Sequence, residues 1–218
     1  MGTAISIETR GPADLDPVFE WLRWVDATFS PFRADSAISR GETTHPLVKE
    51  VLTRCEHLKR ETRGYFDARA TGRLDPSGLV KGWAVERAAA MIAPEACVNA
   101  GGDLRVKGRW RVGIQHPRER DKVATVIAAE DVGVATTGAY ERGEHVLDPH
   151  TGRPPRGVLQ VTIVGPDLGL ADAYATAAFA MGTEGPEWTA SLSSYEAMTI
   201  LADDTVLTTP GFARLEIS

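Results

Sequence analysis

The sequence predicts an α+β protein, a mainly antiparallel sheet with helices packed against it. Apolar residues at helical spacing dominate the chain up to Pro94, and beyond it the texture changes to short β-branched runs separated by glycine or charge. Helices and strands therefore come in runs, not in the strict alternation of a doubly wound sheet. The 218 residues are 43% hydrophobic and 25% charged, close to the globular average, which excludes collagen-like, coiled-coil and disordered chains. No internal repeat, low-complexity tract or long linker divides them, so one domain over residues 1–218 is expected.

Alternation in Ala4-Ile5-Ser6-Ile7-Glu8 marks a first strand, and Val18, Leu22, Val25 and Phe29 then recur at the spacing of an amphipathic helix. Residues 30–44 carry Pro31, Gly41 and several hydroxyls and read as a loop, with one helical turn expected near Ser36. Leu47, Val48, Val51, Leu52, Cys55 and Leu58 give a second helix its buried face, and Gly64 sits where a C-terminal glycine belongs. A third helix is expected over residues 78–92, stopped by Pro94. Strands follow at residues 96–99, 104–106, 110–115, 123–128, 133–136 and 159–164. A small-residue helix over 171–181, a short helix after Gly185, and two strands at 198–202 and 206–208 across an Asp203-Asp204 turn complete the chain.

The 24 basic and 30 acidic residues leave a net charge of −6, which excludes a nonspecific nucleic-acid binder. No apolar run is long enough for a membrane span, and the opening residues lack the basic and apolar regions of a signal peptide. The expected location is cytoplasmic, or exported and anchored if further sequence precedes Met1. Cys55 and Cys97 form no C-x-x-C pair, so neither a disulfide framework nor a thiolate zinc site is indicated.

Four segments concentrate chemistry. In Asp75-Pro76-Ser77-Gly78-Leu79-Val80-Lys81-Gly82, a turn opens a helix with two glycines and a lysine, which suits an anion at free N–H groups; an ordinary capped turn explains it as well. Asn99-Ala100-Gly101-Gly102-Asp103 lets a ligand approach the backbone, or is a tight turn with an Asx cap. In His145-Val146-Leu147-Asp148-Pro149-His150, Asp148 stands near enough in sequence to orient the ring of His145, as a neutral-pH proton acceptor requires; a buried structural histidine is the alternative. Asp172 and Thr176, four apart on a helix, present a carboxylate and a hydroxyl to one point, a donor pair suited to Mg²⁺, unless Asp172 merely caps an alanine-rich packing helix.

Together, and in this order, the segments resemble the ApbE family of FAD:protein FMN transferases. The resemblance includes Met1-Gly2-Thr3, the loop from Ser30 through Phe32 to Ser36, Gly64-Tyr65-Phe66-Asp67, and the Gly78 to Ala84 segment. It continues in Asn99-Ala100-Gly101-Gly102-Asp103, His145-Val146-Leu147-Asp148-Pro149 and Ala171-Asp172-Ala173-Tyr174-Ala175-Thr176. It implies an enzyme that transfers FMN from FAD to a threonine or serine hydroxyl of an acceptor flavoprotein subunit and releases AMP. It implies Mg²⁺ held by Asp172, Thr176 and the backbone carbonyls of Gly78 and Ala175, with His145 as base. For FAD it implies packing of Met1 and Phe32 on the flavin, Asp75, Lys81 and Leu147 along the remainder, and further contacts from Phe66, Asp67, Asn99 and Asp103. Two departures stand: the stretch from Phe66 to Asp75 is shorter than usual in the family, and Phe32 stands where tyrosine is frequent. The same residues are compatible with two other activities, a Mg²⁺-dependent FAD pyrophosphatase giving FMN and AMP, and an FAD-binding module without chemistry.

Overall fold

The computed structural model describes residues 3–119, 121–138 and 146–217. Strand β1 (Ile5–Thr9) leads into three consecutive helices, α1 (Asp16–Phe29), α2 (Pro46–Glu61) and α3 (Ser77–Ala90). Six strands follow: β2 (Ala96–Ala100), β3 (Asp103–Lys107), β4 (Arg109–Gln115), β5 (Val123–Glu130), β6 (Gly133–Gly138) and β7 (Val158–Gly165). The chain closes through α4 (Leu168–Ala180), α5 (Gly185–Thr189), β8 (Glu196–Leu201), β9 (Val206–Thr208) and α6 (Pro210–Ala213).

Seven strands form one sheet in the order β1-β2-β3-β6-β7-β8-β9, every neighbouring pair antiparallel. The α+β expectation holds, with one refinement. Strands β4 and β5 leave the sheet as a separate hairpin, and Trp110, Val112, Ile114 and Ile127 pack with Val134, Val164, Met198 and Phe212 as a second core. The main core lies between the sheet and the helices, where Phe29, Leu58, Trp83, Leu168 and Phe179 meet. Each face of the sheet is thus covered, which is why β7 is buried along almost its whole length. Among the described residues no helix is long and apolar enough to cross a membrane.

Local differences from the sequence expectation have identifiable causes. Near Ser36 the chain makes one helical-type turn, Arg40 N–H to the Ser36 carbonyl at 3.1 Å, among other turn bonds such as Ser36 N–H to Arg33 O at 3.2 Å and Glu42 N–H to Ala37 O at 2.8 Å, and no helix propagates from it. Helix α3 ends before the Pro94 stop, because Met91 and Ile92 already bond three residues back, to Ala88 and Ala89. Helix α2 closes in a Schellman motif, Gly64 N–H to Lys59 O at 2.7 Å and Arg63 N–H to Arg60 O at 3.2 Å. Arg63 and Gly64 both have positive φ there, so the glycine stands one residue beyond its usual place. Helix α6 escaped the sequence reading; Pro210 at its first position was the available signal, and Phe212 is its buried anchor.

Helix α4 is apolar all round, as a helix enclosed by protein must be. The Asp167 side chain caps it by accepting from Leu170 N–H at 2.8 Å, so it starts three residues earlier than expected, and Asp172 is left as an interior residue and not a cap. Close packing of α3 on α4 depends on Gly82: a Cβ there would overlap the carbonyl oxygen of Leu168 and lie 2.9 Å from the Cβ of Asp172.

Candidate active site

A cleft of about 360 Å³ opens where the start of α3, the middle of α4 and the end of β6 converge, walled by the loop at residues 30–32, the segment 65–75 and residues 146–149. Phe32, Phe66, Asp67, Asp75, Gly78, Lys81, Leu147, Asp172 and Thr176 all line it. The structure therefore brings together residues separated by more than half of the chain.

The floor of the cleft is charged. Asp172, 2% exposed, accepts from Gly82 N–H through Oδ2 at 3.0 Å, and the Lys81 ammonium lies 3.6 Å from its Oδ1. Asp103, at the start of β3 and fully buried, accepts from Thr136 N–H at 3.0 Å through Oδ1 and faces the Lys81 ammonium at 2.5 Å through Oδ2. Burial, reinforced by the negative charge of Asp103, pushes the Asp172 carboxyl up to about 8, against the opposing pull of Lys81 and the Gly82 N–H. One helical turn further along α4, the hydroxyl of Thr176 makes no hydrogen bond to the described residues. Gly78 leaves room beside it: a Cβ at that position would lie 3.5 Å from Thr176 Oγ1 and 3.2 Å from the ring of Phe66.

This donor set answers the metal question in a specific way. Among the described residues no three His, Cys, Asp or Glu side chains gather, so a cation held entirely by side chains of these types does not fit. One buried carboxylate, one free hydroxyl and nearby helix carbonyls do fit Mg²⁺, which keeps few protein ligands and takes the rest from water and phosphate. The Gly82 N–H on α3 donates to Asp172 Oδ2, which ties the two helices together beside Gly78. Gly82 itself is committed to the packing of α3 on α4 and to Asp172.

The mouth is apolar. Phe32 is 86% exposed, an unusual state for a large aromatic side chain, and the Arg73 guanidinium holds its loop by donating to the Pro31 carbonyl at 3.0 Å. Phe66 is buried, its N–H donating to Thr62 Oγ1 at 2.9 Å, which fixes the entry of segment 65–75.

A family model described as the ApbE family matches residues 68–199. The chain belongs to the ApbE family. Curated relatives named FAD:protein FMN transferase include one from Rhodobacter capsulatus, 34% identical over 163 residues, covering 66% of this chain and 31% of the relative. Another, from Vibrio cholerae, is 30% identical over 156 residues, covering 62% and 47%. The chain therefore spans about a third to a half of the length of these ApbE relatives. The crystal structure of an ApbE protein from Thermotoga maritima superposes with a TM-score of 0.84 at 22% identity, over 100% of this chain and 97% of that one. The flavin transferase ApbE from Vibrio cholerae superposes with a TM-score of 0.84 at 23% identity, over 99% and 96%. The fold is the ApbE fold.

Not every residue expected from the ApbE resemblance reaches the cleft. Asn99 caps its own turn, its Oδ1 accepting from Gly102 N–H at 3.0 Å, and Asp103 lies behind Lys81. Ala175 is fully buried, so only its backbone could meet a ligand. Asp75 lines the cleft while capping the start of α3 through Ser77 N–H at 3.0 Å. Asp67 is paired with Lys59 at 2.8 Å; burial raises its carboxyl, but Lys59 and the Arg69 N–H outweigh it and hold it below the ordinary range. Asp148 accepts from His150 N–H and from the Thr151 hydroxyl, each at 2.9 Å, and the ring it is expected to orient, that of His145, lies outside the described residues. His150 stacks edge-on against Tyr65 at 4.6 Å. Met1 and His145 lie outside the described residues; Gly138 and Val146, on either side of residues 139–145, line the cleft. Sequence reasoning missed Thr136, Thr137 and Gly138, whose signal was a hydroxyl pair beside a glycine at a strand end.

Proposed function

We propose that the chain is a Mg²⁺-dependent flavin transferase that moves FMN from FAD to a threonine or serine hydroxyl of an acceptor protein and releases AMP. The observation that carries this reading is one cleft with an exposed aromatic at its mouth and Lys81, Asp172 and Thr176 at its floor. Phe32 stacks on the flavin in offset geometry, with Met1 beside it. Leu147, Phe66 and Asp75 line the path inward, and the Lys81 ammonium meets the pyrophosphate charge.

Asp172, Thr176 and the carbonyls of Gly78 and Ala175 hold the cation. When bound, Mg²⁺ neutralises phosphate oxygens against which a hydroxyl must advance. The acceptor oxygen forms a bond to the phosphorus of the FMN half, the bond from that phosphorus to the bridging oxygen breaks, and AMP departs with that oxygen. The hydroxyl proton passes to His145. Asp67 belongs to the cleft lining, whereas Asn99 and Asp103 act through neighbouring residues, since neither lines the cleft.

The test is to incubate the chain with FAD and Mg²⁺, with and without a protein carrying a Thr/Ser acceptor motif, and separate the nucleotides. AMP that appears only with acceptor supports transfer. FMN and AMP produced without acceptor would make the chain a pyrophosphatase, and unchanged FAD bound to the protein would make it a binding module.

A further inference from the structure

We infer that Asp103 is a positioning residue that draws the Lys81 ammonium away from Asp172 and so keeps Asp172 open to a divalent cation. The inference deepens the metal reading of Asp172 and rests on it. Three elements meet at this point: Lys81 comes from α3, Asp172 from α4 and Asp103 from β3. The ammonium is 2.5 Å from Asp103 and 3.6 Å from Asp172, so of the two carboxylates Asp103 holds it the closer.

Asp103 is suited to win that competition. The Thr136 N–H fixes one of its oxygens at 3.0 Å, which aims the other at Lys81, and the side chain has no exposed surface through which water could screen the pair. The Asp103–Lys81 pair is neutral as a unit. Without the charge of Asp103, the ammonium would lose its nearer carboxylate partner and could close the 3.6 Å gap to Asp172 to contact distance, competing with any metal ion there. Coulomb's law at the effective permittivity of such a site makes that closure worth about a tenfold change in affinity.

The experiment titrates Mn²⁺ alone, followed by the EPR signal of the free ion, into the wild-type chain and into Asp103→Asn, Lys81→Met, Asp172→Asn and the double variant Asp103→Asn/Lys81→Met. Asp103→Asn should bind Mn²⁺ about tenfold more weakly, and Lys81→Met several-fold more tightly. The double variant, neutral like the native pair, should return to within about threefold of wild type. A residue that only stabilised the fold would not be rescued by removing a second charged group. Unchanged affinity in Asp103→Asn, or a double variant as weak as that single one, overturns the inference. If Asp103→Asn does not fold, Lys81→Met decides alone: unchanged or weaker Mn²⁺ binding overturns it. Wild type without Mn²⁺ affinity, or Asp172→Asn with affinity unchanged, overturns the metal reading and the inference with it.

Discussion

Replacing Gly82 by alanine sets helix propensity against packing. An alanine in a helix interior is favoured over glycine by about 1 kcal/mol. The new methyl would overlap the Leu168 carbonyl oxygen and stand 2.9 Å from the Cβ of Asp172. Ordinary carbon–carbon contact begins near ~3.5 Å, so α3 and α4 must separate by about 0.6 Å. Overpacking against backbone belongs at the upper end of the usual range, about 3 kcal/mol, which leaves a net loss of about 2 kcal/mol. At this chain length that corresponds to a fall in Tm of about 4–8 °C. The same displacement carries Asp172 and Thr176 on α4 away from Gly78 and Gly82 on α3 and so spreads the proposed metal ligands, and Mn²⁺ affinity should fall at least about tenfold. Thermal unfolding followed by tryptophan fluorescence, together with Mn²⁺ titration below the transition, measures both. A Tm that rises, as propensity alone requires, would refute the close approach of the two helices.

Three further outcomes follow from the same geometry. Asp172→Asn, by removing a buried carboxylate whose nearest cation is 3.6 Å away, should leave Tm unchanged or raise it while reducing Mg²⁺-dependent turnover at least about a hundredfold; a large fall in Tm would contradict it. Asn99→Ala should cost about 1 kcal/mol of stability through the lost turn cap and leave the Kd for FAD within about twofold, whereas a tenfold weaker Kd would make Asn99 a ligand contact after all. Burial pushes the thiol of buried Cys55 up to about 12 and that of half-buried Cys97 up to about 11, so neither should react with a thiol reagent in minutes at pH 8 until the protein is unfolded; rapid labelling of native protein would contradict these surroundings.

Much of the fold was legible in the sequence because local periodicity produced it. The spacing of Val18, Leu22, Val25 and Phe29 marked the buried stripe of α1, and alternation located every strand to within a few residues. Strand partners were not legible: alternation tells which side chains point inward, not which sheet receives them, so the departure of β4 and β5 as a hairpin had no local signal. At the candidate site, Asp172 and Thr176 were visible as a pair because four residues span one helical turn. The position of Asp103 was not, since it is set by Thr136 from another strand and Lys81 from another layer. The Arg73 tether on Pro31 is likewise a contact between distant segments.

The most direct measurement is the intact mass of an acceptor protein after incubation with this chain, FAD and Mg²⁺. Transfer requires that the acceptor gain the mass of one FMN residue, in step with AMP, and that Asp172→Asn abolish the gain. An acceptor of unchanged mass, whether FAD is left intact or split to FMN and AMP in solution, would contradict it.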